Sequence, residues 1–239
     1  MSLRSALRRP RTWVIAVPVA VLLLAVVAPW VYINFIKEDA PERLTFEAHD
    51  AEEAGATTPS TSAAADGIDG TWSVAAGSEA GYRVGEVLFG QDAEAVGRTA
   101  GITGQLTIAG TTIDDAEFTV DMTTVASSES RRDGQFRNRI MDVANHPTSS
   151  FVLTEPIALG SLPGDLEPVT VEATGDFTIR GVTRPVTFDL SARRNGAAIE
   201  VNGTIPVQFA DFEIPDASGG PATVKDHGEI EFLLVFARG

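Results

Sequence analysis

Residues 169–209 read VTVEATGDFTIRGVTRPVTFDLSARRNGAAIEVNGTIPVQF. Val169, Val171, Ala173, Gly175, Phe177 and Ile179 alternate with Thr170, Glu172, Thr174, Asp176 and Thr178. A period of two sends successive side chains to opposite faces of a strand, so one face here is built for a core and the other for water. Arg180-Gly181 breaks the run. Val186, Phe188, Leu190 and Ala192 then resume it against Thr187, Asp189, Ser191 and Arg193. Asn195-Gly196 suits the positive-φ positions of a tight hairpin turn. Beyond it, Ile199, Val201, Gly203, Ile205, Val207 and Phe209 form a third apolar face. Three long strands joined by short turns describe an antiparallel meander.

The same reading extends outward to strands at 102–108, 118–122, 151–153 and 230–236. Residues 82–89 are apolar on both faces, which calls for something to cover the outer side. One helical interruption falls at 127–140, where Phe136 and Ile140 stand four apart and could cap a barrel end. Consecutive long strands of this kind bury their edges by closing into an up-and-down barrel. The inward set is then Tyr82 and Val84; Leu106; Phe118, Val120 and Met122; Phe151; Phe177 and Ile179; Phe188; Ile205 and Phe209; and Phe232 and Leu234. A small barrel either fills with side chains or holds one ligand. Gly104, Ala173, Gly175, Ala192 and Gly203 on the apolar face would leave a channel; strand glycines also mark bends at barrel corners.

The remainder of the chain is organised around this domain, placed at 68–239. No residue from Thr12 to Ile36 carries a charge. Spanning about 30 Å of hydrocarbon takes about 20 helical residues, so 12–36 is long enough. Arg4, Arg8, Arg9 and Arg11 precede it, and Lys37, Glu38 and Asp39 follow it. The positive-inside rule makes 1–11 cytoplasmic and everything after Ile36 extracytoplasmic, a single-pass cell-membrane topology. A cleaved signal peptide is the competing reading, with Val26-Val27-Ala28 as the cleavage signature; Pro29 and the length of the run favour a retained anchor. Residues 37–67 are rich in Ala, Thr, Ser, Pro and acids and read as a flexible linker. Leu44, Thr45 and Phe46 are its one apolar patch.

Composition excludes several functions. A net charge of −15 argues against nucleic acid. Zero cysteines rule out disulfides, thiol nucleophiles and zinc–thiolate sites. His49, His146 and His227 stand too far apart in sequence to form a metal motif, and Ser127-Ser128 lacks a nucleophile-elbow context. No cofactor and no catalytic constellation is expected. Arg131, Arg132, Arg137 and Arg139 form the one basic cluster. Arg132 and Arg137 are candidate headgroup ligands, since the guanidinium fork suits phosphate; the other reading is an Arg132–Asp133 ion pair with the rest solvated.

Several motifs lie in sequence order across 70–239. They include Gly70-Thr71-Trp72, the run Gly77-Ser78-Glu79-Ala80-Gly81-Tyr82-Arg83-Val84-Gly85-Glu86, and Val96-Gly97-Arg98-Thr99. Gly104-Gln105-Leu106, Arg132-Asp133 and His146-Pro147-Thr148 follow. The most specific is Gly175-Asp176-Phe177-Thr178-Ile179-Arg180-Gly181-Val182-Thr183-Arg184-Pro185-Val186. In this order the chain resembles the YceI-like lipid/polyisoprenoid-binding family. The resemblance implies an all-β, eight-stranded antiparallel, lipocalin-like barrel holding a long isoprenoid tail, with quinones or polyprenyl phosphates as the candidate lipids. It departs at Phe209-Ala210-Asp211-Phe212-Glu213, where the family often shows Arg-Ser-Asp-Phe-Gly. The expected function is binding, storage or transport of that lipid at the membrane. The alternative is an exported interaction module with a filled barrel. Nothing in the sequence sets the oligomeric state.

Overall fold

The computed structural model describes Val27 and residues 40–55, 67–160, 164–220 and 222–239. The strands are β1 (Gly70–Val74), β2 (Glu79–Leu88), β3 (Gln91–Thr99), β4 (Ile102–Ala109), β5 (Thr112–Asp121) and β6 (Ala126–Ser127). They continue as β7 (Thr148–Leu153), β8 (Ile157–Ala158), β9 (Val169–Ile179), β10 (Val182–Asn195), β11 (Ala198–Gln208), β12 (Ala222–Val224) and β13 (His227–Arg238). Eight of them close a ring in the order β1-β4-β5-β7-β9-β10-β11-β13, with β1 pairing both β4 and β13. All of these pairings are antiparallel. The chain is thus an all-β, eight-stranded antiparallel barrel with a short helical segment.

The ring is not a plain cylinder. β1 takes the C-terminal end of β13, with Trp72 opposite Arg238. β2 takes the preceding stretch, with Tyr82 opposite Ile230. The β2–β3 hairpin therefore departs from the wall and carries β6 and β12 with it. β3 is missing from the periodicity reading, because Asp92 and Glu94 dilute its apolar signal. β5 likewise starts at Thr112, well before the apolar run at 118. Helix α2 (Ser130–Gln135) continues into a π-helical turn, Phe136–Ile140. There Phe136 stacks on Tyr82, with ring centroids 5.1 Å apart. Met122 and Phe209, expected as strand residues, instead begin 3₁₀ turns at the same end of the barrel.

The compact unit that contains the barrel runs from Ala40 to Gly239. It takes in residues 40–55 of the segment read as linker, which includes helix α1 (Phe46–Gly55). Phe46 is buried. Among the described residues no helix is long and apolar enough to cross a membrane. The 12–36 span expected to do so lies outside them except for Val27, as do linker residues 37–39 and 56–66.

Inside, the core is continuous from Ile68 and Trp72 at one end to Met122, Phe136 and Phe212 at the other. Phe236 is completely buried. The strand glycines do not leave the open channel that their small size implies. A Cβ on Gly203 would lie 2.8 Å from the ring of Phe232, its cross-strand partner, and one on Gly104 would lie 2.6 Å from the ring of Phe118. At Gly175 the ring of Phe151 takes the space. Each glycine seats a phenylalanine from the neighbouring strand, a cross-strand aromatic pairing that compensates for the missing side chain.

Candidate functional site

Alternation along the ring strands directs their apolar residues to one interior, and a cavity of about 100 Å³ remains there. Seven of the eight ring strands line it. Among the lining residues only Ser149 and Ser150 carry polar side chains. The Ser149 hydroxyl is committed, donating to the Thr178 carbonyl at 2.7 Å. Such a lining offers a ligand dispersion contact and almost nothing to hydrogen-bond, so it suits hydrocarbon. The Phe151, Phe188 and Phe232 rings form an edge-to-face series across it, at 5.5 Å and 6.0 Å.

Of the expected interior set, Leu106, Phe118, Val120 and Phe151 reach the lining, with Phe177, Phe188, Ile205, Phe232 and Leu234. Five do not. Tyr82 lies beneath Phe136, and its ring covers Gly97 of β3. Val84 stands further along the same hairpin, opposite Ala95. Met122 and Ile179 are buried in the core at the barrel end, and Phe209 packs against it. Ile113, Ala116 and Ile157 line the cavity without having been singled out. Their signal was weak, since 112–116 alternates only once before two adjacent acids.

The basic cluster gathers at the helical end. Arg132 pairs with the buried Glu86 at 3.4 Å rather than with Asp133. Asp133, itself buried, accepts from the Ser127 backbone N–H at 2.9 Å and hydroxyl at 2.7 Å. Burial pushes the Tyr82 phenol up to about 12; neighbouring Asp133 and Glu86 act the same way, while Arg132 and the Ser127 hydrogen bond oppose. Arg137 donates to the Val125 carbonyl at 3.4 Å, and Arg139 to the Asp216 carbonyl at 3.0 Å. None of these arginines lines the cavity. Among the described residues no cluster of histidine and carboxylate side chains could hold a metal.

This geometry has known counterparts. A polyisoprenoid binding domain from Saccharophagus degradans, implicated in plant cell wall breakdown, superposes with a TM-score of 0.58 at 16% identity, covering 71% of this chain and 99% of that one. BcnA of Burkholderia cenocepacia gives 0.51 at 22% identity, covering 64% and 95%. At these identities the likeness is one of fold. No curated protein matches the chain. The model of the YceI-like domain matches residues 72–236. Because that match reaches every strand of the ring, the chain belongs to the YceI-like domain family.

Proposed function

We propose that the barrel binds the tail of a long-chain isoprenoid lipid, a quinone or a polyprenyl phosphate, as a membrane-anchored, extracytoplasmic carrier or reservoir. The observation that carries this reading is the apolar cavity enclosed by the ring strands. A similarly folded barrel is described as a polyisoprenoid binding domain, which agrees with it. Each CH₂ buried contributes about 0.8 kcal/mol. A tail of ~15 carbons therefore offers roughly 12 kcal/mol before binding costs, the scale of nanomolar affinity. A tail of that length exceeds the present volume, so Phe118, Phe151, Phe188 and Phe232 swing aside to admit it. Arg132 and Arg137, at the helical end, are the proposed contacts for an anionic headgroup. Among the described residues the cavity lining holds no acid–base pair, which supports binding without chemistry on the lipid.

The small cavity volume favours one second reading, a filled barrel that acts as an interaction module. Mass spectrometry of lipid extracted from residues 40–239, produced in cells and purified without detergent, separates the two. A stoichiometric prenyl lipid is expected. A domain that stays empty after exposure to membrane lipids would sink the carrier reading and leave the filled barrel.

A further inference from the structure

The β9–β10 hairpin turns on Arg180-Gly181, with φ of 51° and 75°. Positive φ at both central positions suits Asn, Asp or Gly and strains an arginine, whose Cβ crowds the next carbonyl oxygen. Arg180 carries a second cost. Its Nε is buried and, among the described residues, has no hydrogen-bond acceptor. A buried donor left without a partner is destabilising, and few occur in a folded domain. Nη1 of the same side chain donates to the Glu213 carbonyl at 2.6 Å.

The strain extends to the neighbours of this turn. Glu213 has a φ of 54° and Asp142 one of 48°. The Asp142 carbonyl accepts the His146 N–H at 2.9 Å. The His146 ring lies against Gly181, where a Cβ would come within 2.7 Å of it. Three of the five non-glycine residues with positive φ, among the described residues, therefore lie in one connected cluster. Backbone held in unfavourable conformations concentrates at sites that bind or switch.

The charge at this rim is arranged differently from that of the outer wall. There Arg83, Arg98 and Arg193 meet buried carboxylates, as Arg132 meets Glu86. Arg139, on the π-helical turn, instead donates to the Asp216 and Ser218 carbonyls, at 3.0 and 3.4 Å. Arg180 and Arg139 are thus drawn to one short loop, 213–218, and bond its backbone oxygens. The Asp216 carboxylate lies close enough to feel Arg139, yet its hydrogen bond goes to the Ser218 N–H at 2.8 Å. Behind the loop, Phe212 meets the cavity-lining Phe177 edge to face, with centroids 5.9 Å apart. Arg180 follows Phe177 by three residues, about 10 Å along a strand. A tail in the cavity can therefore place its polar end at this rim.

We infer that Arg180, with Arg139 beside it, holds the phosphate of a polyprenyl phosphate at the helical end of the barrel. The inference rests on the lipid-binding reading above and gives that lipid its headgroup. A phosphate oxygen supplies the acceptor that Nε lacks, and the guanidinium fork can take two oxygens at once. A quinone carbonyl is uncharged and presents one oxygen to two cations. A free phosphate ion shares the chemistry of the lipid phosphate, and the two sources are separable by experiment.

The full chain in neutral detergent is titrated with a prenyl monophosphate, with a prenyl alcohol and a prenyl quinone of equal tail length, and with inorganic phosphate alone. Arg180→Asn is the main variant, because Asn is at home in this turn and the change removes the guanidinium without straining the hairpin. The parent should favour the monophosphate over both uncharged lipids by at least ~10-fold. Arg180→Asn should lose that preference, bind the alcohol as the parent does and melt no lower. Arg139→Gln should reduce the preference by a smaller factor; no reduction removes Arg139 from the site. An unchanged preference in Arg180→Asn overturns the inference. Equal binding of all three lipids by the parent overturns the lipid source, and inorganic phosphate that binds only when Arg180 is present then identifies a free anion as the occupant. A parent that takes none of the lipids counts against the carrier reading itself. In that case phosphate binding lost in Arg180→Asn still upholds the anion site, and no phosphate binding overturns it.

Discussion

Two stretches of the barrel wall share one sequence pattern and differ in what lies outside them. On β9, Val171, Ala173, Phe177 and Ile179 face the interior side, while Thr170, Glu172 and Asp176 are exposed. Across that outer surface Thr174 and Thr187 exchange a hydrogen bond at 3.0 Å, and Thr178 and Thr183 one at 2.8 Å. On β11 and β13 the alternation is the same, yet outward Glu200 and Glu231 are as buried as any core residue. A charge can be buried only where partners replace water. Here they are arginines of neighbouring strands and residues 41–50, more than a hundred residues earlier in the chain. Solvent completes the outer face of one wall; the chain itself completes that of the other.

The largest effect should come from breaking the covered wall. Glu231→Ala leaves Arg83 and Arg98 without their shared carboxylate and should destabilise by about 3–5 kcal/mol in denaturant unfolding. A loss below ~1 kcal/mol would show that the network is exposed in solution. Next comes the interior. Gly203→Val forces the Phe232 ring off its seat and should cost about 1–3 kcal/mol by overpacking, along with lipid occupancy. Retained stability would mean that this glycine serves as a bend and not as a seat.

Acid should loosen residues 41–50 before it unfolds the barrel. Hydrogen bonding to Arg193 holds the Asp50 carboxyl below its ordinary 3.8, with burial opposing. A depressed carboxyl favours the docked segment at full strength above the ordinary value, and the contribution is lost as pH falls through the depressed one. Exchange at 41–50 should therefore quicken below about pH 4 while β9 and β10 stay protected. Simultaneous loss in both would show that the segment and the barrel open as one unit. The smallest effect belongs to the solvent wall, where Thr174→Ala should change stability by no more than about 0.5 kcal/mol.

Much of this molecule was legible early. Strict alternation at 169–209, with Asn195-Gly196 between two runs, leaves little but a meander, and β9, β10 and β11 formed where it pointed. Nine of the fourteen interior positions reach the cavity, because inward direction follows from parity along a strand. The failures are physical. Tyr82 and Val84 have the right parity, but Tyr82 is taken up by Phe136 and Val84 lies on the β2–β3 hairpin beyond the last pairing with β13. Gly104, Gly175 and Gly203 have the right size, but the rings that fill their space come from other strands. Leu44, Thr45 and Phe46 read only as the one apolar patch of a polar stretch, since the partner of Phe46, Arg193, lies on β10.

The class of fold, the hairpin connections and the inward side of each long strand are written locally along the chain. These depend on neighbours one to four residues apart, through backbone geometry and the period of hydrophobicity. How much of the interior stays open, where β2 parts from β13, and which outward charges lose their water emerge only from the packed fold. Each of those depends on side chains that meet from distant parts of the chain, and whether a group is buried is settled only when its last neighbour arrives.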